Sequence, residues 1–385
     1  MSSVALSPRA YTLRMIGAAR DIARADWDAL ARRGYHRHAW FLTAESCGAE
    51  PRHVGVYDGP DLVAIIPAYI ERQTLHGDLH ARWYGPTHRL AAAIGGGLRP
   101  SLAIGAPMST SSEPLGADSV LTEDVLDDAL QLLEGEARAE RVKAIVWPFI
   151  GEDASAIRAA ARRRGYHESF ANSEAVLDVT WRSPEAYLAS RSKNVRRTLR
   201  NELAWVHDQG IRVSWETDLR THADTFDALY RASYVTRNKR VAILAPQFFA
   251  QLASQQSSGV RVQCAWRGST LLEMAVALDG GGALDLCLSA QSEETRNGLL
   301  YQHCLCYDPI RASIAGGLTR IRLGPSALYT KVVRGARLES RLTLVRGMTP
   351  AARAALRVLA PVTDVRNRAK QRRLLGTLTA ASAGP

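Results

Sequence analysis

The sequence predicts an α/β protein of two tandem domains, and three observations carry that prediction. The chain has 385 residues, more than one ordinary core fills, and suits two units of about 150–200 residues. Its composition, 46% hydrophobic and 23% charged, is that of a folded globular protein and far from the signature of disorder. Segments of alternating apolar residues are interleaved with segments of three- and four-residue spacing, and much the same succession runs through both halves.

The second half reads most clearly. Ser183-Pro184-Glu185 is a helix start, with Ser as N-cap, Pro at the first helical position and an acid in the first turn; Gly210 is the stop, and a basic helix lies between. Ile211 to Glu216 alternates like a strand, whereas Thr221 to Arg237 and Pro246 to Gln255 carry Phe, Leu and Tyr at helical spacing. Three strands follow, Val260 to Trp266, Leu271 to Leu278 and Ala283 to Ser289, separated by Arg267-Gly268 and by Gly280-Gly281-Gly282. Asn297 to Ile314 reads as a helix closed by Gly316-Gly317, and Thr319 to Leu323 as a short strand. A turn or short helix at Pro325 to Val333 then leads to a final strand, Leu338 to Val345.

The first half follows the same order. It has a strand near Leu13, helices at Asp26 to Arg33 and Phe41 to Cys47, a hairpin over His53 to Ile70 and a weaker strand at Ala81 to Tyr84. Helix Glu123 to Glu140, strand Val142 to Phe149, helix Ala154 to Arg164 and an extended run Ser173 to Trp181 complete it. Between them, Gly95 to Gly116 reads as a long loop, the kind that forms a lid or a binding loop or stays disordered. These elements place the domains at 1–181 and 182–348, followed by a basic tail, 349–385, read as a solvated end or a polyanion contact.

Several function classes lose their support. There is no G-x-S-x-G elbow, P-loop or Rossmann fingerprint. Five cysteines, odd in number and without C-x-x-C spacing, argue against a disulfide framework or zinc ribbon. His76 and His80 have i, i+4 spacing but lack the glutamate of H-E-x-x-H, Arg37 separates His36 from His38, and His303 reads as a core histidine, so no metal is expected. No secretory signal or membrane span is evident, and a cytoplasmic location is expected. The net charge of +11 favours polyanionic partners such as RNA or coenzyme A.

The order β-α-α-β-β-β-α-β-α-β resembles GNAT-type acyltransferases, and a tandem pair of such domains resembles the FemAB-like group. The most specific part is the helix Leu299 to Ile314, the break Gly316-Gly317-Leu318, the strand ending Leu323-Gly324, and then Lys331 and Gly335. The helix Arg191 to Arg200 is similar to the basic helix that opens the second domain of these proteins, and Pro51-Arg52-His53 with the strand after it to their first hairpin. One departure concerns the donor. Where GNAT enzymes hold coenzyme A on a glycine-rich helix start, this chain reads Thr295-Arg296-Asn297-Gly298-Leu299-Leu300, keeping one glycine after Glu293 and Glu294.

The resemblance implies an N-acyltransferase that forms an amide on a small-molecule or peptide-like amine acceptor. No bound cofactor is implied, and the donor stays open between aminoacyl-tRNA and acyl-CoA. It also implies a cleft between the fourth and fifth strands of the second domain. Lys331 is expected there as a cation for an anion or oxyanion, Tyr329 as a donor at the rim and Asp285 as a general base. Arg322 and Arg296 are expected to meet donor or substrate, and Lys193, Arg196 and Arg197 to follow the phosphates of a possible tRNA. The competing expectation is a non-catalytic RNA- or polyanion-binding protein on the same scaffold.

Overall fold

The computed structural model describes residues 11–72, 97–237, 244–255, 259–295 and 298–382. Local signals set most helices. Thr122 accepts the Val125 N–H at 3.4 Å and Glu123 and Asp124 fill the first turn, starting helix Glu123–Ala139. Its Val125, Leu126, Ala129, Leu130, Leu133 and Ala137 face inward at helical spacing. Ser183 caps Ala186 N–H at 3.1 Å, as its sequence context predicts. The expected single basic helix is two, Pro184–Ala189 and Lys193–Asp208, because Ser192 caps a second start.

The strands are β1 (Thr12–Ile16), β2 (Glu50–Pro51), β3 (His53–Asp58), β4 (Asp61–Ile66), β5 (Ala68–Glu71), β6 (Ser101–Ile104), β7 (Leu115–Gly116) and β8 (Ala144–Gly151). They continue as β9 (His167–Asp178), β10 (Arg212–Glu216), β11 (Val260–Arg267), β12 (Thr270–Gly280), β13 (Ala283–Gln291), β14 (Arg320–Gly324) and β15 (Arg337–Gly347). Among the described residues they form a four-stranded sheet, β1-β3-β4-β7, and an eleven-stranded sheet, β10-β11-β12-β13-β14-β9-β15-β8-β6-β5-β2. Three short strands escaped the sequence reading: β2, and β6 and β7, which lie inside the expected loop Gly95 to Gly116. The third strand expected at Ala81 to Tyr84 lies outside the described residues, as do His76 and His80.

The two halves exchange strands. Among the described residues each has one parallel pair, β6 with β8 and β13 with β14. The first half's last strand, β9, pairs antiparallel with β14 of the second half, while the second half's last strand, β15, pairs antiparallel with β8 of the first. β9 and β15 also pair with each other over most of their length, from Val176↔Arg337 to His167↔Val345. The two halves therefore share the eleven-stranded sheet, with each completing the other there. The arrangement is a tandem GNAT-like fold.

A second seam joins the halves through side chains. Trp27, Tyr35, Trp40 and Phe41 share one core with Phe226, Tyr230, Phe248, Phe249 and Leu278. Gly34 comes so close to Leu278 that an added Cβ would lie 2.3 Å from the leucine Cβ, so only glycine fits there.

The tail differs from its expectation. Pro350–Ser382 is one helix, and its Ala352, Leu356 and Ala360 are buried against Leu98, Ala144, Val146 and Val345. The apolar residues at 352, 356 and 360 form a stripe that alanines and arginines dilute in the sequence, which is why composition alone pointed to a solvated end.

Candidate active site

Both parallel pairs open into one space. β13 pairs with β14 only from Ala283 to Asp285 and then diverges, and β6 pairs with β8 only from Ser101 to Ala103. At the two openings lies a cavity of about 210 Å³. The first half supplies Trp40, Tyr69, Thr110, Phe149 and Asn172 to its wall, and the second supplies Tyr234, Phe248, Val276, Cys287 and Ser326. A smaller cavity of about 80 Å³ adjoins it between the separated strands, with Leu286 to Ser289 on one side and Leu323 to Ser326 on the other. Thr110, Tyr234, Cys287, Leu288, Pro325 and Ser326 line both.

The local backbone explains the opening. Leu286 pairs with Ala277 and Leu288 with Val276, so Cys287 is the extra residue of a β-bulge. Beyond it, β13 keeps its bonds to β12 and, among the described residues, has no strand paired on the β14 side; its far end is closed by Gln291, whose N–H donates to Ser233 Oγ at 3.2 Å, and the stretch before that is an edge for an extended ligand. Two π-helical stretches flank the same place. Ala232–Arg237 brings Tyr234 to both cavities and His303–Tyr307 brings Leu305 to the smaller one. Such widened turns alter the side-chain register and recur at functional sites.

The wall from Gly105 to Glu113 is fixed by partners on every side. Tyr69 Oη donates to Gly105 O, Trp40 Nε1 to Pro107 O at 2.7 Å and Trp147 Nε1 to Ser112 O at 2.8 Å. Gly105 has φ of +118° and lies so close to Ser112 that a Cβ would clash. Thr110 Oγ1 donates to Glu174 at 2.8 Å. Glu174 in turn binds the buried Arg341, whose Nε is 3.1 Å away. Arg341 also reaches Glu113 at 3.3 Å and Glu339 at 3.0 Å, and Arg33 closes on Glu113 at 2.8 Å. The long loop of the sequence reading is thus a built wall.

No charged side chain is among the described residues lining either cavity, and this decides where the sequence candidates stand. Asp285 is 1% exposed; its Oδ2 accepts the Gly34 N–H at 3.0 Å and its Oδ1 accepts Arg322 at 3.1 Å. Asp285 thus joins the halves through Gly34 and ties β13 to β14 through Arg322, and neither charged residue is among the cavity lining, so the expected general base and substrate arginine have structural partners here. Lys331 is buried, and its Nζ donates to the carbonyls of Leu323 and Gly324, two residues of the smaller cavity's wall. It supports the end of β14 and is not a rim cation. Tyr329 is 43% exposed and lies away from the cavity lining.

On the basic helix, Lys193 and Arg197 are exposed, as a phosphate contact requires. Arg196 is committed to the carbonyls of Ala189 and Arg191, each at 3.0 Å, and serves as a local cap. Arg296 lies outside the described residues. His303 is buried beside Tyr307, and His38 is held by Ala19 O at 2.8 Å. The wall residues Thr110, Asn172, Tyr234 and Cys287 were missed, since each looks like ordinary loop, helix or strand sequence until the chain is folded.

Burial lowers the Lys331 ammonium from its ordinary 10.5 to about 8, against smaller opposing effects of Cys306 and Glu174. Between these values the unfolded chain holds a proton that the folded chain lacks, so stability rises with pH through that window, and the penalty is fully present below it. The urea midpoint of the protein is expected to rise from pH 8 to 10 relative to that of Lys331→Met. Parallel pH profiles for the two proteins would refute this account of Lys331.

The comparisons with known proteins agree with this fold. A model of the FemAB-like family, described as peptidoglycan biosynthesis/recognition, matches residues 18–363. No curated protein matches the chain. The structure of FemX is similar, with a TM-score of 0.57 and 13% identity over 84% of this chain and 96% of FemX. The C-terminal domain of a putative lysylphosphatidylglycerol synthetase from Agrobacterium fabrum has a TM-score of 0.53 and 12% identity over 88% of this chain and 95% of its own. A tandem GNAT protein from the clavulanic acid biosynthesis pathway has a TM-score of 0.51 and 11% identity over 89% and 99%. At these identities the likeness shows the fold, whereas the family match spans most of the chain. The chain belongs to the FemAB-like family and is a transferase of tandem GNAT-like fold.

Proposed function

We propose that the protein moves an aminoacyl group from aminoacyl-tRNA to an amine of a peptide-like acceptor in the cavity between its halves. The observation that carries this reading is that no charged side chain is among the described residues of the wall. An acceptor amine arrives as an ammonium ion; losing water among Trp40, Tyr69, Phe149, Tyr234 and Phe248 disfavours the charged form and releases the nucleophilic one. No protein base in direct contact is then needed. The amine nitrogen attacks the ester carbonyl, the new C–N bond replaces the ester C–O bond, and the amine's proton leaves with the departing ribose oxygen. The edge of β13 just beyond Cys287, where the ladder with β14 has ended, is the source of backbone N–H groups for the oxyanion formed in between.

Thr110, Asn172 and Ser326 are the polar groups that would orient the acceptor, with Lys331 and the Asp285–Arg322 pair holding the strands that position them. The net charge of +11 and the exposed Lys193, Arg197 and Arg200 favour a polyanionic carrier. The family's description favours a peptide-like acceptor, and the name of the lysylphosphatidylglycerol synthetase favours aminoacyl transfer. Likeness to a tandem GNAT protein whose description mentions AcCoA supports acyl-CoA as the second reading of the donor.

The test supplies purified protein and amine-bearing peptides with labelled aminoacyl-tRNA or with acyl-CoA, and reads amide formation by mass spectrometry. Amide from the tRNA donor is expected. Product from acyl-CoA alone, or from neither carrier with an acceptor that binds, would overturn the donor assignment.

A further inference from the structure

The outer face of helix Pro350–Ser382 has no role in the transfer site, yet it concentrates exposed apolar surface. Of the seven large hydrophobic side chains exposed among the described residues, four lie on this helix, including Val358 at 65%, Val362 at 49% and Val365 at 63%. Their i, i+4, i+7 spacing puts the three valines on one stripe, extended by the exposed Ala351, Ala354 and Pro361. The opposite face is anchored. Ala352, Leu356 and Ala360 pack on the sheet, Asp364 accepts the Phe170 N–H at 2.7 Å, and Asn367 donates to Phe170 O at 2.9 Å. The valines are therefore held outward by the fold itself.

The charge around the stripe says what covers it. Arg353, Arg357, Lys370 and Arg372 are exposed on the same helix, and its single acid within this stretch, Asp364, is engaged by Phe170 and by Arg368 at 3.0 Å. We propose that this face docks on an anionic phospholipid bilayer, the valines entering the headgroup boundary and the basic residues meeting lipid phosphates. The combination of an apolar stripe with bordering arginines is that of a helix lying in a membrane surface. A nucleic acid would use the arginines and leave the valines without a partner, and a second copy would set like charges against one another. The proposal is independent of the donor and acceptor argued above.

The test is flotation of the full chain with vesicles of phosphatidylglycerol and phosphatidylcholine, and with phosphatidylcholine alone. Binding to the anionic vesicles is expected, weakening by on the order of fivefold for each basic residue removed in Arg353→Gln, Arg357→Gln and Arg372→Gln. The triple change Val358→Asp, Val362→Asp and Val365→Asp is expected to reduce binding at least about tenfold with an unchanged urea midpoint, because these side chains are already in water. Failure to float, or equal flotation of the valine variant, overturns the proposal. So does a valine-dependent dimer that ignores vesicles, or tRNA binding through this helix that needs the arginines and is indifferent to the valines.

Discussion

Arg341→Leu is expected to destabilise the protein by about 3–5 kcal/mol, the largest effect on stability of any single change in this site. Arg341 is 2% exposed and lies between Glu174, which is 1% exposed, and Glu113. Taking away the guanidinium leaves the Glu174 carboxylate in low dielectric without its counter-charge, whereas Glu113 keeps Arg33, and a stranded buried charge costs more than the pair itself contributes. Glu174 sits on β9 and Arg341 on β15, the two exchanged strands, so the loss falls on the seam between the halves. Urea unfolding measures it. The double variant Arg341→Leu with Glu174→Gln is expected to recover part of the loss, since the stranded charge is then gone. A cost below about 1 kcal/mol for the single change, the range of an exposed pair, would contradict this view of the network.

Cys287→Phe is expected to lower transferase turnover at least about a hundredfold, or roughly 2.7 kcal/mol in the barrier, while Cys287→Ala leaves it near that of the unchanged protein. The thiol lines both cavities at the β-bulge, where an added ring fills the passage between them. Desolvation, with Asp285 nearby, pushes the thiol above its ordinary value and so disfavours the thiolate. The pair of variants separates shape from sulfur chemistry. Activity loss in the alanine variant would assign the thiol a chemical part, and full activity in the phenylalanine variant would move the reaction elsewhere. Overpacking costs about 1–3 kcal/mol of stability, so circular dichroism and the urea midpoint accompany the assay.

Much of the fold was legible before the structure. From Ser183 to Val345 each element carries its own signal, whether a cap, a glycine stop or an alternating run, and nearly all appear within a few residues of where the sequence places them. The break at Ser192 was readable in principle, as a second serine N-cap before a helix, but the uninterrupted basic run concealed it. β6 was not readable: Ser101–Ile104 is four residues among glycines and prolines and is a strand because β5 and β8 lie on either side.

The sequence by itself determined the family resemblance, the two-fold repetition and the absence of a nucleophile motif, because these depend on residue order and local periodicity. It also drew attention to the end of β14, through Leu323-Gly324 and Lys331, where the smaller cavity lies. Only the tertiary structure decided what those residues do. Asp285 and Lys331 look like chemistry in a linear reading and are buried supports in the fold, whereas Thr110, Tyr234 and Cys287 look ordinary and line the cavity. The physical reason is that a charge's role depends on its partners and its access to water. Those are fixed by the pairing of β9 with β14 and β15 with β8, contacts between strands more than 100 residues apart that no local pattern encodes.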